Sequence, residues 1–186
     1  METSKKTGIP RFIFIIIPLI LAAMYYYAVF IESNPAEKTV EDFYQAYLSQ
    51  DYDTVAEKLS VFWSLQLLPQ YSSMSPQELI DNREQIEKDT SAVIAEIEGQ
   101  NGELASEENI EVVPLPEYTI IVENSALVVY SILENGQQSG MEMAILIMEK
   151  GQLRIYSISP VNEQILQTIS KEDLLKFDEN LKELLG

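Results

Sequence analysis

The chain contains no cysteine and no histidine among its 186 residues. Without cysteine there are no disulfides, no thiol nucleophile and no thiolate metal site. Without histidine, Ser-His-Asp triads, imidazole acid–base catalysis and histidine-ligated zinc are excluded within this chain. No catalytic motif stands out among the remaining residue types. We therefore predict no catalytic residue, no metal ion and no cofactor, and we do not expect an enzyme.

Basic residues are scarce: 12 Lys and Arg stand against 30 Asp and Glu, for a net charge of −18. Nucleic-acid binding normally depends on a basic patch, so we exclude it. A basic partner or loosely held Ca²⁺ suits this charge, whereas a solvated acidic surface that keeps the domain soluble explains it without any partner. The acidic group Glu103, Glu107, Glu108 and Glu111 lacks the spacing and glycine of a calcium loop, so we interpret it as solvated.

One uninterrupted apolar run extends from Phe12 to Ile31 and reads FIFIIIPLILAAMYYYAVFI. A bilayer core needs about 20 apolar residues in a helix, and this run has that length. Three consecutive tyrosines near its distal end are typical of the aromatic belt at a membrane interface. We predict a single transmembrane helix over 12–31, with a cleaved signal peptide or a buried core helix as the alternatives.

Charge asymmetry across this run predicts its orientation. Lys5, Lys6 and Arg11 precede the run, and acidic residues dominate directly after it. Positive residues stay on the cytoplasmic side. We therefore predict a cytoplasmic N-terminus over 1–11 and an extracellular domain over 32–186 at the cell membrane. An exported domain without cysteine favours a bacterial host that does not depend on disulfides.

Helix-start signals occur twice after the run. Asn34-Pro35 is followed by Glu37, and Ser75-Pro76 is followed by Glu78, which are arrangements typical of a cap, a first helical residue and a capping box. Apolar residues at helical spacing predict helices over 35–48, from Asp53 towards Pro69, and over 76–98.

After residue 109 the apolar period changes to that of strands, and Asn-Gly and Lys-Gly turns predict antiparallel hairpins. The predicted strands are 110–115, 118–123, 126–134, 141–149 and 152–159. Two C-terminal helices follow, over 161–169 and from Ser170 onward. The central strands are apolar at both parities, so both faces of the sheet are expected to be covered. The first three helices cover one face, and the C-terminal helices or a second subunit cover the other.

The segment VEDFYQAYLSQDYDTVA at 40–56 resembles the opening of the nuclear transport factor 2-like superfamily, with an aromatic-bearing helix, an Asp-Tyr turn and a second helix. The strands over 126–159 are similar to the closing hairpins of that superfamily. The resemblance covers 36–159 and implies an α+β domain in which three helices pack on a curved antiparallel sheet that forms a cone with a pocket. Some members are isomerases or dehydratases, and many are non-catalytic binding or dimerisation modules. No catalytic residue is carried over.

A candidate ligand pocket is lined by aromatic residues and one cation, because apolar ligand sites usually have such walls. The candidates are Tyr44, Tyr47, Trp63, Tyr118, Tyr130, Arg154 and Tyr156. The alternative is that the aromatic residues form ordinary core between helices and sheet. Arg154 either receives an anionic ligand or forms a salt bridge with a neighbouring acid.

Taken together, these patterns predict a single-pass membrane protein whose outer domain is a non-catalytic binding or assembly module. A protein partner, or a homodimer through the sheet face, is expected. The alternative functions are a small-molecule or isomerase-type pocket and a sensor that relays signals with a membrane partner.

Overall fold

The computed structural model describes residues 17–22, 34–101 and 109–185. The chain divides into two units, Met1–Asn34 and Pro35–Gly186. In the first unit, residues 17–22 are helical and exposed. Most of the predicted membrane segment 12–31 lies outside the described residues. Within the described part of the chain, no helix combines the length and the apolar character needed to cross a membrane.

The second unit is an α+β domain that begins with helices. Their bounds are α1 Pro35–Leu48, α2 Tyr52–Lys58, α3 Val61–Ser64, α4 Pro76–Asp81 and α5 Arg83–Asn101. A 3-10 helix at Pro69–Tyr71 follows α3.

The predicted second helix is interrupted at Leu59, and this part of the prediction was wrong. Leu59 has an extended backbone and forms a parallel bridge with Ile155 at the edge of the sheet. Ser60 then starts α3, and its side chain caps the backbone N–H of Phe62 at 3.1 Å. Pairing with the sheet and a new cap together outweigh helix continuation.

The predicted helix over 76–98 is also divided, at Asn82. Ser75 and Glu78 form the expected capping box at its start. The Asn82 side chain donates a 2.8 Å hydrogen bond to the carbonyl oxygen of Glu78, and α5 begins at the next residue. Asparagine competes in this way with the helix for backbone groups, which explains the break.

A curved antiparallel sheet of five strands forms in the described residues, in the order β1-β3-β4-β5, with β2 also paired to β3. The strands are β1 Ile110–Pro114, β2 Ile120–Ile121, β3 Ser125–Glu134, β4 Gln137–Glu149 and β5 Gln152–Pro160. The predicted strand 118–123 is reduced to β2, because Pro116 starts a 3-10 helix that extends to Tyr118.

Both predicted hairpin turns are confirmed. Asn135 and Gly136 have φ values of 53° and 77°, and Lys150 and Gly151 have 48° and 81°. Positive φ at both central residues is the conformation of two-residue type I′ turns, whose twist matches that of the strands. These turns set the register that pairs Glu134 with Gln137 and Glu149 with Gln152.

Both faces of β3 are buried, as its apolar parities predict. Val128 and Tyr130 pack with α1 and α2 in the main core. Leu127 and Val129 pack on the other face with residues of the C-terminal helices, α6 Glu163–Leu166 and α7 Lys171–Leu185. Of the two expected covers for that face, the structure shows the C-terminal helices. The first of them is shorter than the predicted 161–169.

Candidate functional site

A cleft of about 280 Å³ opens among the N-terminal helices, and its mostly apolar walls include two of the predicted site residues. Its walls come from α1, α2, α3 and α5 and from the loop after α3. The lining residues are Phe43, Tyr47, Val55, Leu59, Trp63, Leu67, Ile94, Ile97 and Glu98. One carboxylate therefore accompanies eight apolar or aromatic side chains.

Helix α1 places two aromatic rings in this cleft. Phe43 and Tyr47 are four residues apart and lie on the same helical face. Their rings stack with centroids 6.4 Å apart and an interplanar angle of 16°. Phe43 is buried, whereas Tyr47 is partly exposed and extends towards α5.

The Tyr47 hydroxyl donates a 2.8 Å hydrogen bond to Oε1 of Glu98 on α5. Burial first, and then this bond to a carboxylate, raise the pKa of Tyr47 to about 12. The phenol therefore stays protonated near neutral pH, and its proton is directed at Glu98. This bond joins α1 to α5 through two residues that are 51 positions apart in the chain.

Trp63 is the single tryptophan of the chain and lies in the cleft wall. The adjacent aromatic residues Phe62 and Trp63 of α3 pack into different clusters. Phe62 packs with Leu79 and Ile86, whereas Trp63 packs against the main core. Trp63 is consequently a natural spectroscopic reporter of the cleft.

A second polar group joins Tyr44, Tyr130 and Glu142. The two hydroxyl oxygens are 2.9 Å apart, and they lie 2.5 Å and 2.9 Å from Oε2 of Glu142. An ionised carboxylate only accepts hydrogen bonds. The two hydroxyl protons of Tyr44 and Tyr130 are therefore shared among the three contacts. Burial raises the pKa of both tyrosines. The Glu142 carboxylate raises the pKa of Tyr44 further, and the Tyr44 phenol does the same for Tyr130.

A buried charged cluster lies at the β5 edge of the sheet. Arg83 pairs with Glu149, and the Ser60 hydroxyl donates a 2.6 Å bond to the same carboxylate. Arg154 bonds to the backbone carbonyl of Glu57, and its guanidinium lies 3.5 Å from the Glu57 carboxylate. Burial, and then nearby Arg83, lower the pKa of Arg154.

The predicted site residues fall in several places. Tyr47 and Trp63 line the cleft, and Tyr44 and Tyr130 share the Glu142 group. Arg154 forms the salt bridge that was one of its two predicted roles. Tyr118 is 38% exposed in a 3-10 helix. The Tyr156 ring packs at 5.6 Å from Phe177 on α7, on the side of the C-terminal helices.

Sequence reasoning missed the acidic members of these groups. Glu98 is the last residue of the predicted helix over 76–98, and the helical spacing of its apolar neighbours does not distinguish it from the other acidic residues there. Glu142 sits opposite Tyr130 in the β3–β4 register, which depends on a bulge between Ile132 and Leu133. Neither pairing has a local sequence signal, because each joins segments that the fold brings together.

No metal-binding group of three or more acidic side chains occurs in the described residues. The carboxylates Glu103, Glu107 and Glu108 lie outside the described residues. No family model matches the chain, and no curated protein or solved structure shows significant similarity to it.

Proposed function

We propose that this chain is a membrane-tethered binding module without catalytic activity, which engages a protein partner outside the cell through the cleft of the N-terminal helices. The observation that carries this proposal is the cleft itself. Eight apolar or aromatic side chains line this cleft. One of them, Ile97, is 41% exposed, so the cleft is accessible from solvent. Partners anchor aromatic or aliphatic side chains in pockets of this kind.

The tether and its orientation are proposed from the sequence. The apolar run 12–31, with basic residues before it and acidic residues after it, supports a cytoplasmic N-terminus and an extracellular domain. The order of helices followed by a curved antiparallel sheet supports the resemblance to the nuclear transport factor 2-like superfamily, which remains a prediction. A homodimer through the sheet face has less support, because the C-terminal helices cover residues of that face.

Site-specific photocrosslinking tests the cleft as the partner surface. A photoreactive p-benzoylphenylalanine replaces Ile97 in the full chain, expressed in its host membrane. The matched control places the same group at Ile165, a helical isoleucine that is also 41% exposed but belongs to α6. We expect a discrete protein adduct from position 97 and none of that mass from position 165. Identical adducts from both positions, or none from either, contradict the proposal.

A small-molecule pocket is the second candidate, and the group Tyr44, Tyr130 and Glu142 favours it. An isomerase-type pocket needs a carboxylate beside tyrosine, and both phenols lie within hydrogen-bond distance of the Glu142 carboxylate. Isomerase-type chemistry at this group requires the hydroxyls themselves. Loss of a measured turnover in Tyr44→Phe, with the fold unchanged, supports this second function.

A further inference from the structure

The cleft has an electrostatic preference that follows from Glu98. Among the described residues that line it, Glu98 carries a charge and the others are apolar or aromatic. The whole chain carries a net charge of −18. An anionic ligand therefore meets repulsion both at the wall of the cleft and from the surrounding surface, whereas a cation is attracted.

The Glu98 carboxylate gives the cleft wall hydrogen-bond acceptors. The Tyr47 proton is directed at Oε1 of Glu98, and the second carboxylate oxygen has no hydrogen-bond partner among the described residues. Glu98 thus offers a lone-pair site to an incoming N–H donor. A donor-rich ammonium or guanidinium group satisfies this site, and its charge strengthens the bond.

The walls suit the stem of such a cation. Aromatic faces attract cations through their quadrupoles, and Phe43, Tyr47 and Trp63 supply three aromatic rings. Lysine and arginine stems pack their methylene groups along apolar surface while the charge stays at the rim. The volume of about 280 Å³ is just below the range of drug-sized pockets, which suits one side chain.

We propose that the cleft receives one lysine or arginine side chain from a basic segment of the partner, with the stem against Phe43 and Trp63 and the cation at Glu98. This inference rests on the proposed function, because it names the chemistry of the partner at the same site.

The test uses the full chain in phosphatidylcholine nanodiscs with fluorotryptophan incorporated at Trp63, the single tryptophan, so that one fluorine NMR resonance reports the cleft. Three probes with four carbon atoms each differ in charge: n-butylammonium, n-butanol and butyrate. Empty nanodiscs correct for partitioning. We expect saturable shifts with butylammonium, binding that is about tenfold weaker with butanol, and none with butyrate.

Two charge-matched variants locate the effect. Glu98→Gln should weaken butylammonium binding by about tenfold and leave butanol binding unchanged. Glu96→Gln removes the same charge from an exposed position on the same helix and should leave both unchanged. Equal weakening in both variants indicates only the general field of the acidic domain and overturns the assignment to Glu98.

Capped tetralysine separates the sources of the cation. We expect it to shift the Trp63 resonance and to compete with butylammonium. If butylammonium binds and tetralysine does not, the site takes a small organic cation, and the protein segment is excluded. Equal binding of n-butylammonium, n-butanol and butyrate overturns the cation preference alone. The absence of any shift with butylammonium and butanol overturns the proposed function of the cleft as well.

Discussion

Arg83 and Glu149 form an ion pair in the interior of the domain, between the start of α5 and the end of β4. The Glu149 side chain is fully buried and also accepts a hydrogen bond from Ser60. Arg83 donates a second bond to the carbonyl of Leu59 at 2.9 Å. This pair therefore holds the helical interruption at Leu59 and Ser60 against the edge of the sheet, and it fixes the position of α3 and its cleft residue Trp63.

The first prediction concerns this ion pair. Glu149→Gln removes the fully buried carboxylate and leaves Arg83 with the partly exposed Glu87, 2.7 Å from its Nε, as its ionic partner. We expect a loss of about 2–3 kcal/mol in the free energy of unfolding. Urea unfolding of the full chain in nanodiscs, followed by circular dichroism, measures the change. Glu123→Gln is the control, because its pair with Lys182 is exposed and should contribute less than about 1 kcal/mol. Equal effects of the two substitutions contradict the structural role of Glu149.

The second prediction concerns the β4–β5 turn. Gly151 has φ of 81°, and no atom lies within 4 Å of an added Cβ. Gly151→Ala should therefore destabilise the domain through backbone conformation alone, by about 1–2 kcal/mol. Gly140→Ala in β4 also meets open space but carries no positive φ, so we expect little change in the urea midpoint. A midpoint for Gly151→Ala equal to that of the unmodified chain contradicts the type I′ turn.

These turns illustrate what the sequence predicts well. Asn135-Gly136 and Lys150-Gly151 act locally, so the hairpins and their register follow from residue type. The capping box at Ser75 is likewise local. The break at Leu59 was not predicted, because it depends on a bridge to Ile155, which is 96 positions further along the chain. The break at Asn82 was not predicted either, although the hydrogen bond from its side chain to the carbonyl of Glu78 is local.

The same distinction applies to the candidate site. Aromatic character predicted that Tyr47 and Trp63 are among the residues lining one pocket, and both line the cleft. It did not separate them from Tyr156, whose ring lies against Phe177. The partner of Tyr47 is Glu98, and that pairing depends on how α1 packs beside α5 rather than on a motif. The position of the Glu98 charge beside Tyr47 could therefore be found only from the tertiary structure.

The third prediction is a pH dependence that arises from Tyr47. Its pKa is raised to about 12 in the folded chain, above the ordinary value of about 10 for an unfolded tyrosine. The folded state therefore binds this proton more tightly, and the stabilisation is complete below about pH 10 and is lost as pH rises towards about 12. Thermal unfolding between these pH values measures the loss.

Tyr47→Phe removes both the titrating group and its bond to Glu98. We expect the variant to show a shallower fall in melting temperature over this alkaline range than the unmodified chain. Tyr118→Phe, at an exposed position in the 3-10 helix, is the control and should follow the unmodified chain. Parallel curves for all three proteins contradict the coupling between Tyr47 and Glu98.

The fourth prediction concerns the orientation of the chain, and the absence of cysteine makes it direct to test. Single cysteines at Glu172, which is exposed on α7, and at Ser4, before the apolar run, become the sole thiols. If the run spans the membrane with the basic end inside, a membrane-impermeant maleimide added to intact cells labels Glu172→Cys and leaves Ser4→Cys unlabelled. Permeabilised cells should label both positions.

Labelling of Ser4→Cys in intact cells reverses the proposed orientation. Recovery of Glu172→Cys in the soluble fraction, without its first residues, supports a cleaved signal peptide and removes the tether from the proposed function.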